Sequence, residues 1–572
     1  MEKIKKLRKI FIKEKIDGYI IPKNDEFFGE YVPNSKDRLN YISNFSGSFG
    51  FALILKNLNY LFVDGRYTLQ ANQQSGKFFK IVTIPNKIPS DILKNKKYSI
   101  GFDPKLFTKN TLQVFFKEKN CRLIPLQNNL IDLIWKRKIK DSKSVFYKLP
   151  ENSVGESYKS KLNKIVSNLK KRGADYQFIS ACENNAWLFN IRGDDTKYSP
   201  IPNCHALINK NKDIKFFCDL KKIPKKLKKR LNNLRFVKKE FISNIISKIN
   251  KKKFILDKKT CSIYHENIIA KNNIILRTHD PIYLLKAIKN KKEINNIKIS
   301  HIYDGAALTK FLFWLKKNFN KKYITEISAS KKLFNLRKRN KKFKFLSFPT
   351  ISGSGPNGAI IHYNPTKKTD RRLKKGDIYL VDSGGQYEFG TTDVTRTISL
   401  ENSNKRIRNI FTRVLKGHIA VANSKLKKNM SGSHIDYKAR KHLKEIGLDY
   451  SHGTGHGVGY FLNVHEGPQA ISKNNKIELR EGMVVSNEPG YYEKNNFGIR
   501  IENLIYVKKN KEVKCFENLT MAPIDKELID EKLLNQKERS WLNKYHKTVY
   551  KNISKYMLKN EVNDLKKACS VI

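Results

Sequence analysis

The feature that most constrains this 572-residue chain is a set of metal-ligand-type side chains spread along its C-terminal half. Each stands in a short stretch with strand or turn character: Asp382 in YLVDSGG, Asp393 in GTTDVTRT, His456 in HGTGHGVG, Glu488 in SNEPGYY and Glu502 in IRIENL. Four carboxylates and one imidazole can hold a pair of divalent cations, which can bind a water molecule between them and make it a hydroxide. The fold must then bring five distant segments to one point.

Asp382 and Asp393 stand eleven positions apart. The first closes an apolar, β-rich run at a Ser-Gly-Gly turn, and the second begins another short run. A hairpin of this length can bring both carboxylates onto one face near its open end. Carboxylates buried so close together repel each other unless cations neutralise them. For this pair taken alone, the alternative is two solvated turn aspartates.

Four glycines surround His456 between residues 452 and 459. They are typical of a backbone that must approach a ligand closely, and they do not suit a packed helix. His452, His456 and His465 fall within fourteen residues, although the chain has only 12 histidines. This clustering favours a site over an isolated core histidine.

Glu502 follows an alternating strand, residues 498–501, so its carboxylate is expected on the same face as Arg500. Arg500 is then a natural hydrogen-bonding partner for a ligating carboxylate, with a surface Arg–Glu pair as the alternative. A donor set rich in oxygen, with one imidazole, suits Mn²⁺ or Mg²⁺ better than a thiolate zinc site does.

The order, spacing and flanks of these five residues resemble the aminopeptidase P family, in its long three-domain subtype with a pita-bread catalytic fold. The resemblance implies two divalent metal ions per subunit, commonly Mn²⁺. Asp393 and Glu502 would bridge the ions, Asp382 would bind one of them, and His456 with Glu488 would bind the other. Glu488 would also take the proton of the bridging water.

The same resemblance assigns roles to three histidines. His362, in GAIIHY, matches the family's proton-shuttling histidine, and His465, in NVHEGP, matches one that contacts the substrate and the tetrahedral intermediate. His452 matches a histidine that lines the substrate pocket. The implied catalytic residues are therefore His362, His465 and Glu488, and the implied substrate-binding residues are His452, His362 and His465.

The net charge of +63 would ordinarily suggest a nucleic-acid or membrane partner. Lysines are spread over the whole length together with many Asn and Ile, however, as an AT-rich coding sequence would favour. We therefore predict no specific nucleic-acid partner and only weak, salt-sensitive binding of polyanions. The sequence contains no run of about 18 apolar residues, so no membrane span is predicted. Seven scattered cysteines without a C-x-x-C pair favour a reducing, cytoplasmic location.

The predicted fold class is α/β (α+β). By the same resemblance, two creatinase-type N-terminal domains, residues 1–141 and 142–281, are expected to precede a pita-bread domain with a C-terminal extension, residues 282–572. The first two domains share one order of helix, strand and aromatic segment ending in Gly, which indicates a weak internal repeat. In the third domain, residues 281–317 are expected to form one helix with Lys286, Lys289 and Lys291 on its polar faces.

The resemblance implies a homodimeric Xaa-Pro aminopeptidase, and the cysteine usage favours a cytoplasmic one. It would remove the first residue from peptides with proline at position 2 by means of a metal-bridging hydroxide. The tertiary X–Pro amide resists general peptidases and has no N–H to offer. Two alternatives remain: a prolidase-type Xaa-Pro dipeptidase on the same fold, and a non-enzymatic, chaperone-like protein that binds polyanions. The three-domain length speaks against the first, and the complete ligand set speaks against the second.

Overall fold

The structure, a computed structural model, describes residues 1–94, 97–117, 121–137, 144–401, 403–510 and 513–572. The chain forms two compact units, residues 1–283 and 284–572. The boundary expected between residues 141 and 142 lies outside the described residues. Helices and strands alternate in both units, which confirms the α/β (α+β) class. None of the described helices is long and apolar enough to cross a membrane.

The first part of the N-terminal unit is built on one twisted sheet with the strand order β4-β3-β2-β1-β5-β6 among its described residues. Its strands are β1 (Gly18–Pro22), β2 (Phe51–Leu55), β3 (Asn59–Asp64), β4 (Lys80–Ile84), β5 (Tyr98–Phe102) and β6 (Cys121–Pro125). Its helices are α1 (Glu2–Lys13), α2 (Arg38–Ser43), α3 (Thr68–Ser75), α4 (Pro89–Leu93), α5 (Lys109–Phe116) and α6 (Leu130–Ile134). The pairs β1–β2 and β2–β3 are antiparallel, and the remaining neighbours are parallel.

The second part of this unit repeats the arrangement with the order β12-β11-β10-β8-β13-β14. Its strands are β7 (Tyr147–Lys148), β8 (Tyr176–Ile179), β9 (Ile191–Arg192), β10 (His205–Asn209), β11 (Ile214–Cys218), β12 (Leu234–Lys238), β13 (Lys253–Asp257) and β14 (Ile274–Thr278). Its helices are α7 (Glu151–Val154), α8 (Tyr158–Lys171), α9 (Cys182–Leu188), α10 (Lys225–Arg230), α11 (Ile242–Ser247) and α12 (Ile263–Ala270). Parallel and antiparallel pairs fall at the same places as in the first sheet. The weak repeat in the sequence is therefore a repeat of one sheet topology.

The helix expected over residues 281–317 is interrupted, and α13 (Ile282–Ala287) and α14 (Lys291–Asn318) replace it. Asn290 starts the second helix. Its side chain accepts hydrogen bonds from the backbone N–H groups of Lys292 and Glu293, and Glu293 reaches back to the Asn290 N–H. Such a capping box is a strong local start signal, and it outweighs the continuous helical pattern.

Lys286 and Lys289 were expected on polar faces, and this is wrong. Each is only 3% exposed. The Lys289 N–H donates to the Gly482 carbonyl, which draws the segment between the two helices inward. The ammonium groups of both lysines lie against the buried carboxylate of Glu466, at 3.2 Å for Lys286 and 2.6 Å for Lys289. Lys291, at the start of α14, is exposed as expected.

The remaining elements of the C-terminal unit arrange short sheets around a common centre. The strands are β15 (Phe343–Leu346), β16 (Ile351–Ser354), β17 (Ile378–Ser383), β18 (Gly385–Tyr387), β19 (Gly390–Thr391), β20 (Val394–Ser399), β21 (Gly455–Gly457), β22 (Glu466–Ile471), β23 (Val484–Asn487), β24 (Gly490–Glu493), β25 (Phe497–Arg500), β26 (Asn503–Asn510) and β27 (Val513–Asn518). The helices are α15 (Glu326–Lys338), α16 (Lys405–Ala422), α17 (Ser433–Lys444), α18 (Gln536–Ile553) and α19 (Lys559–Ala568). The sheets have the orders β16-β17-β20, β22-β21-β23-β26-β27, β15-β18-β19 and β24-β25.

Candidate metal centre

Four of the five ligand-type residues lie on or beside strands of two sheets, and the fifth lies in a connection between strands. Asp382 lies on β17, and Asp393 directly precedes β20. His456 lies on β21, and Glu488 directly follows β23. Glu502 lies between β25 and β26. The backbone ties the sheets together here, because the Glu502 N–H donates to the Thr395 carbonyl and the Glu488 N–H to the Thr454 carbonyl.

Three of the five side chains form the tightest group. Asp393, His456 and Glu502 each offer one ligand atom, and these atoms all lie within 4.8 Å of one another. His456 Nε2 lies 3.4 Å from Asp393 Oδ2 and 3.5 Å from Glu488 Oε1. The two aspartates lie at the end of the β17–β20 hairpin from which the chain leaves for β18, and not at the expected open end, where Ile378 pairs with Ser399.

The carboxylates of this group are buried, and they lie close enough together to raise one another's pKa. Burial, followed by the charges of Asp382 and Glu488, raises the pKa of Asp393 well above its usual range. Burial and then the charge of Asp393 raise the pKa of Glu502 in the same way. His456 and Glu488 are only half-buried, so the group can be approached from their side.

Hydrogen bonds to the backbone fix the imidazole of His456. Nδ1 lies 2.9 Å from the carbonyl oxygen of Gly457, and a carbonyl can only accept, so Nδ1 carries the hydrogen. The lone pair of Nε2 then faces the carboxylates. Ser486 links two candidate ligands, because its hydroxyl donates to Glu488 Oε1 and accepts from the His456 N–H, both at 2.9 Å.

The guanidinium of Arg500 is buried, 1% exposed, and spans one side of the group. It donates to Asp382 Oδ2 and to the Tyr492 hydroxyl at 2.7 Å each, and to the Thr395 hydroxyl at 3.1 Å. The Thr395 hydroxyl in turn donates to Glu502 Oε2 at 2.8 Å. Although burial opposes it, contact with Tyr492 and Asp382 raises the pKa of Arg500 well above its usual range. The arginine therefore stays charged beside the carboxylates.

The three histidines matched by resemblance lie around this group. The ring of His465, an exposed residue, lies 4.3 Å from the ring of His456, centroid to centroid. His452 Nε2 lies 2.9 Å from the hydroxyl of Tyr492, the same hydroxyl that Arg500 contacts. His362 follows Ile361, whose carbonyl accepts from Arg500 at 3.4 Å.

Sequence reasoning missed the residues that support the group, namely Thr395, Ser486 and Tyr492. A usable signal was present, because Thr395 follows Asp393 by two positions and Ser486 precedes Glu488 by two, so each pair shares a strand face. The glycines beside His456 also have a different reason from the expected one. A Cβ on Gly455 would lie 1.9 Å from the Ser486 carbonyl oxygen, and one on Gly457 would lie 2.2 Å from that of Glu466. They allow close strand packing, and ligand approach is not needed to explain them.

Divalent cations fit the donor set. Asp382 Oδ1 is buried and has no hydrogen-bond donor among the described residues. The Nε2 lone pair of His456 faces carboxylates that can only accept when they are ionised. Two divalent ions would balance the charge of four carboxylates, and oxygen ligands with one imidazole suit the harder cations.

Comparison with known proteins places this geometry in a family. Residues 295–509 match the metallopeptidase family M24, and residues 512–572 match the C-terminal region of peptidase M24. Residues 3–134 and 137–293 each match a creatinase/prolidase N-terminal domain. A probable Xaa-Pro aminopeptidase P of Laccaria bicolor is 37% identical, over 97% of this chain and 90% of the relative. The chain belongs to the Xaa-Pro aminopeptidase P family.

Other members agree over the full length. Xaa-Pro aminopeptidase 1 of Dictyostelium discoideum is 36% identical over 96% of this chain and 93% of its own. The crystal structure of X-prolyl aminopeptidase from Caenorhabditis elegans, described as a cytosolic enzyme with a di-nuclear active site, superposes with a TM-score of 0.95. It is 31% identical and covers 100% of this chain and 99% of its own. Two creatinase-type domains followed by a pita-bread domain are thus confirmed.

One solved prolidase resembles only part of the chain. The prolidase from Pyrococcus furiosus is 26% identical, with a TM-score of 0.51, and covers 62% of this chain and 98% of its own. The additional length of this chain is shared with the aminopeptidase P family.

Proposed function

We propose that this chain is a metal-dependent aminopeptidase that hydrolyses the N-terminal Xaa-Pro bond of peptides. The observation that carries this proposal is the full-length match to X-prolyl aminopeptidase from Caenorhabditis elegans, together with the convergence of Asp393, His456 and Glu502. Its substrates would be peptides with proline at position 2. The activity itself follows from membership of the family.

The metal ligands would be Asp382, Asp393, His456, Glu488 and Glu502. The two most deeply placed carboxylates, Asp393 and Glu502, are proposed to bridge two ions, because each lies next to several other ligands. Two such ions would polarise the scissile carbonyl and lower the pKa of water, which makes hydroxide available at neutral pH. Mn²⁺ is the proposed metal.

Glu488 is proposed to accept the proton of the attacking water. Its side chain is 17% exposed, and Ser486 fixes Oε1 by a hydrogen bond, so the carboxylate is both accessible and oriented. Arg500 would orient Asp382, because it stays charged and donates to one of its oxygens.

The histidines would act on the substrate side. His465 is exposed and lies against the ring of His456, which suits contact with the substrate carbonyl and the tetrahedral intermediate. His362 would shuttle protons. His452 would line the pocket. Its Nδ1 lies 2.7 Å from the Gly453 carbonyl, so Nε2 accepts from Tyr492 and the ring keeps one orientation.

One experiment separates the aminopeptidase from the prolidase-type alternative. The Mn²⁺-loaded protein is incubated with Arg-Pro-Pro and with Gly-Pro, and released Arg and Gly are measured. We expect rapid release of Arg and little release of Gly. Arg-Ala-Pro serves as the control for the requirement for proline. Hydrolysis of the dipeptide alone would support the prolidase-type reading, and hydrolysis of neither substrate would contradict an active peptidase.

Location, assembly and domain limits complete the proposal. The chain is proposed to be cytoplasmic, as the Caenorhabditis elegans enzyme is described to be, and to form a homodimer. Its domains are proposed to span residues 1–141, 142–281 and 282–572. No specific nucleic acid or membrane partner is proposed.

A further inference from the structure

A carboxylate outside the metal centre is saturated with hydrogen bonds. Glu326, the first residue of α15, is 0% exposed. Its Oε1 accepts from the Ser354 N–H at 2.7 Å, and its Oε2 accepts from the Tyr363 hydroxyl at 2.7 Å and the Arg371 N–H at 3.1 Å. The Asn357 side-chain amide lies 3.0 Å from each oxygen. None of these donors is a charged group. The carboxylate of Glu326 therefore holds neutral hydrogen-bond donors in place.

All of these donors belong to one stretch of chain, residues 354–371, which includes His362. The backbone of Glu326 binds the same region, because its N–H donates to the Arg371 carbonyl and its carbonyl accepts from the Ser352 hydroxyl at 2.8 Å. A single residue thus fastens both ends and the middle of the segment. The other side of the segment packs on β25, where a Cβ on Gly498 would lie 1.8 Å from the Gly358 carbonyl oxygen.

The two neighbours of His362 in the chain are held from opposite directions. The carbonyl of Ile361 accepts from Arg500, which also contacts Asp382. The hydroxyl of Tyr363 binds Glu326, and the ring of Tyr363 is 4% exposed. Two fixed neighbours leave the backbone of His362 little freedom, which is what a proton-transferring group needs if it is to meet its substrate at hydrogen-bond distance.

We propose that Glu326, acting through the Tyr363 hydroxyl, is the positioning residue for His362. It does not touch the reacting atoms. Its effect is to hold the His362 segment against the Arg500 side of the metal centre. This inference rests on the proposed role of His362.

The variant that tests it with the least disturbance is Tyr363→Phe, which removes one oxygen atom and leaves the buried ring in place. We expect kcat for Arg-Pro-Pro to fall about tenfold, because this hydroxyl joins Glu326 to the segment, where it also contacts the Asn357 amide and the Thr369 carbonyl. The content of bound Mn²⁺ should not change. The matched control is Tyr379→Phe. That tyrosine is 0% exposed and its hydroxyl lies 2.7 Å from the Ser352 hydroxyl, but it does not contact the carboxylate of Glu326. Its kcat should stay within about twofold of wild type.

A double-mutant cycle shows whether the effect passes through His362. In a His362→Ala background, Tyr363→Phe should cause no further loss of residual turnover. Equal losses in Tyr363→Phe and Tyr379→Phe, or a tenfold loss that persists without His362, would overturn the inference. A wild-type protein that is inactive, or a His362→Ala protein that is fully active, would instead overturn the proposed function on which it rests.

Glu326→Gln is the second variant. Its NH₂ group would face the backbone donors of Ser354 or Arg371, so a larger loss than in Tyr363→Phe is expected. A Glu326→Gln protein that folds and keeps wild-type kcat would contradict the proposal. If it does not fold, the Tyr363→Phe cycle still decides.

Discussion

Arg500 Nη2 lies 2.7 Å from Asp382 Oδ2, while the other oxygen of that carboxylate, Oδ1, has no donor among the described residues. The arginine thus occupies one oxygen of the carboxylate and leaves the second for a cation. The same guanidinium also holds Tyr492 and Thr395. Three donors in a planar fork perform this task, and an ammonium group cannot reproduce it.

Arg500→Lys should therefore weaken the metal centre although it keeps the charge. We expect the affinity for Mn²⁺, or the activity, to fall by about 10- to 100-fold, the range for losing the partner of a ligating side chain. Titration with Mn²⁺, followed by steady-state kinetics, measures both. Tyr492→Phe is the control, because it removes a contact of Arg500 and leaves the one to Asp382. Equal Mn²⁺ affinity in wild type and Arg500→Lys would show that Asp382 needs no such partner.

Protein variants that lack a proposed bridging ligand should differ in metal content from the variant that lacks the terminal ligand Asp382. Asp393→Ala and Glu502→Ala each remove a carboxylate that would contact both ions, so purified protein should hold close to no Mn²⁺. Asp382→Ala should retain about one ion, because Asp393, His456, Glu488 and Glu502 remain. Elemental analysis after dialysis gives the stoichiometry. The same stoichiometry in all three variants would refute the assignment of bridges.

Loss of Lys289 should destabilise the C-terminal unit. Its ammonium group is 0% exposed and lies 2.6 Å from Glu466, whose side chain is 1% exposed. Breaking a buried pair leaves a charge without its partner, so Lys289→Met should cost about 3 kcal/mol, somewhat offset because Lys286 remains. Lys298→Met is the matched control, since the Lys298–Glu517 pair is about one-third exposed and such a pair contributes less than about 1 kcal/mol. In calorimetry, the transition temperature of Lys289→Met should lie clearly below that of Lys298→Met.

Asp280 should make the N-terminal unit less stable as pH rises towards neutrality. Burial raises the pKa of its carboxyl to about 7, against hydrogen bonds from Ile282, Asn184 and Gln177. Since the pKa is higher in the folded than in the unfolded state, the stabilisation is complete below about pH 4 and is lost as pH rises through 7.

Asp280→Asn removes this titration. The amides of Gln177 and Asn184 can turn to suit it, because Gln177 Oε1 and Asn184 Oδ1 are buried without a hydrogen-bond partner among the described residues. The stability of the variant relative to wild type should therefore increase by up to about 4 kcal/mol between pH 4 and pH 8. Thermal unfolding at several pH values measures this change. A constant difference between the two proteins across that range would contradict the raised pKa.

The sequence predicted the residue types of the candidate site more readily than their surroundings. Asp382 and Asp393 stood out because carboxylates beside apolar strands are costly to bury without a counter-charge. Strand alternation led from Glu502 to Arg500. The partners of Arg500, however, come from segments far apart in the chain, and spacing along a strand says nothing about which other strand lies opposite. Tyr492 was missed for this reason, whereas Thr395, two positions after Asp393, could have been found by strand alternation.

Local signals also competed with one another. The helical pattern from residue 281 was continuous, but the cap formed by Asn290 and Glu293 started a new helix. Lys286 and Lys289 looked like surface residues because lysine is rarely buried, and only the position of Glu466, far along the chain, accounts for them. Glu326 gave no signal, since an acidic residue in the first turn of a helix is ordinary.

The two lysines that meet Glu466 belong to a small group of buried lysines. Among the described residues, Lys161, Lys286 and Lys289 are the buried lysines, and each lies beside an oxygen acceptor. Most other described lysines are exposed, but the side chains of Lys23 and Lys148 are 8% exposed and that of Lys222 is 12% exposed, each in an ion pair. Lysine is thus mainly a surface residue in the described part of this chain. The surface charge can therefore be redesigned towards neutrality while the buried and nearly buried lysines are kept.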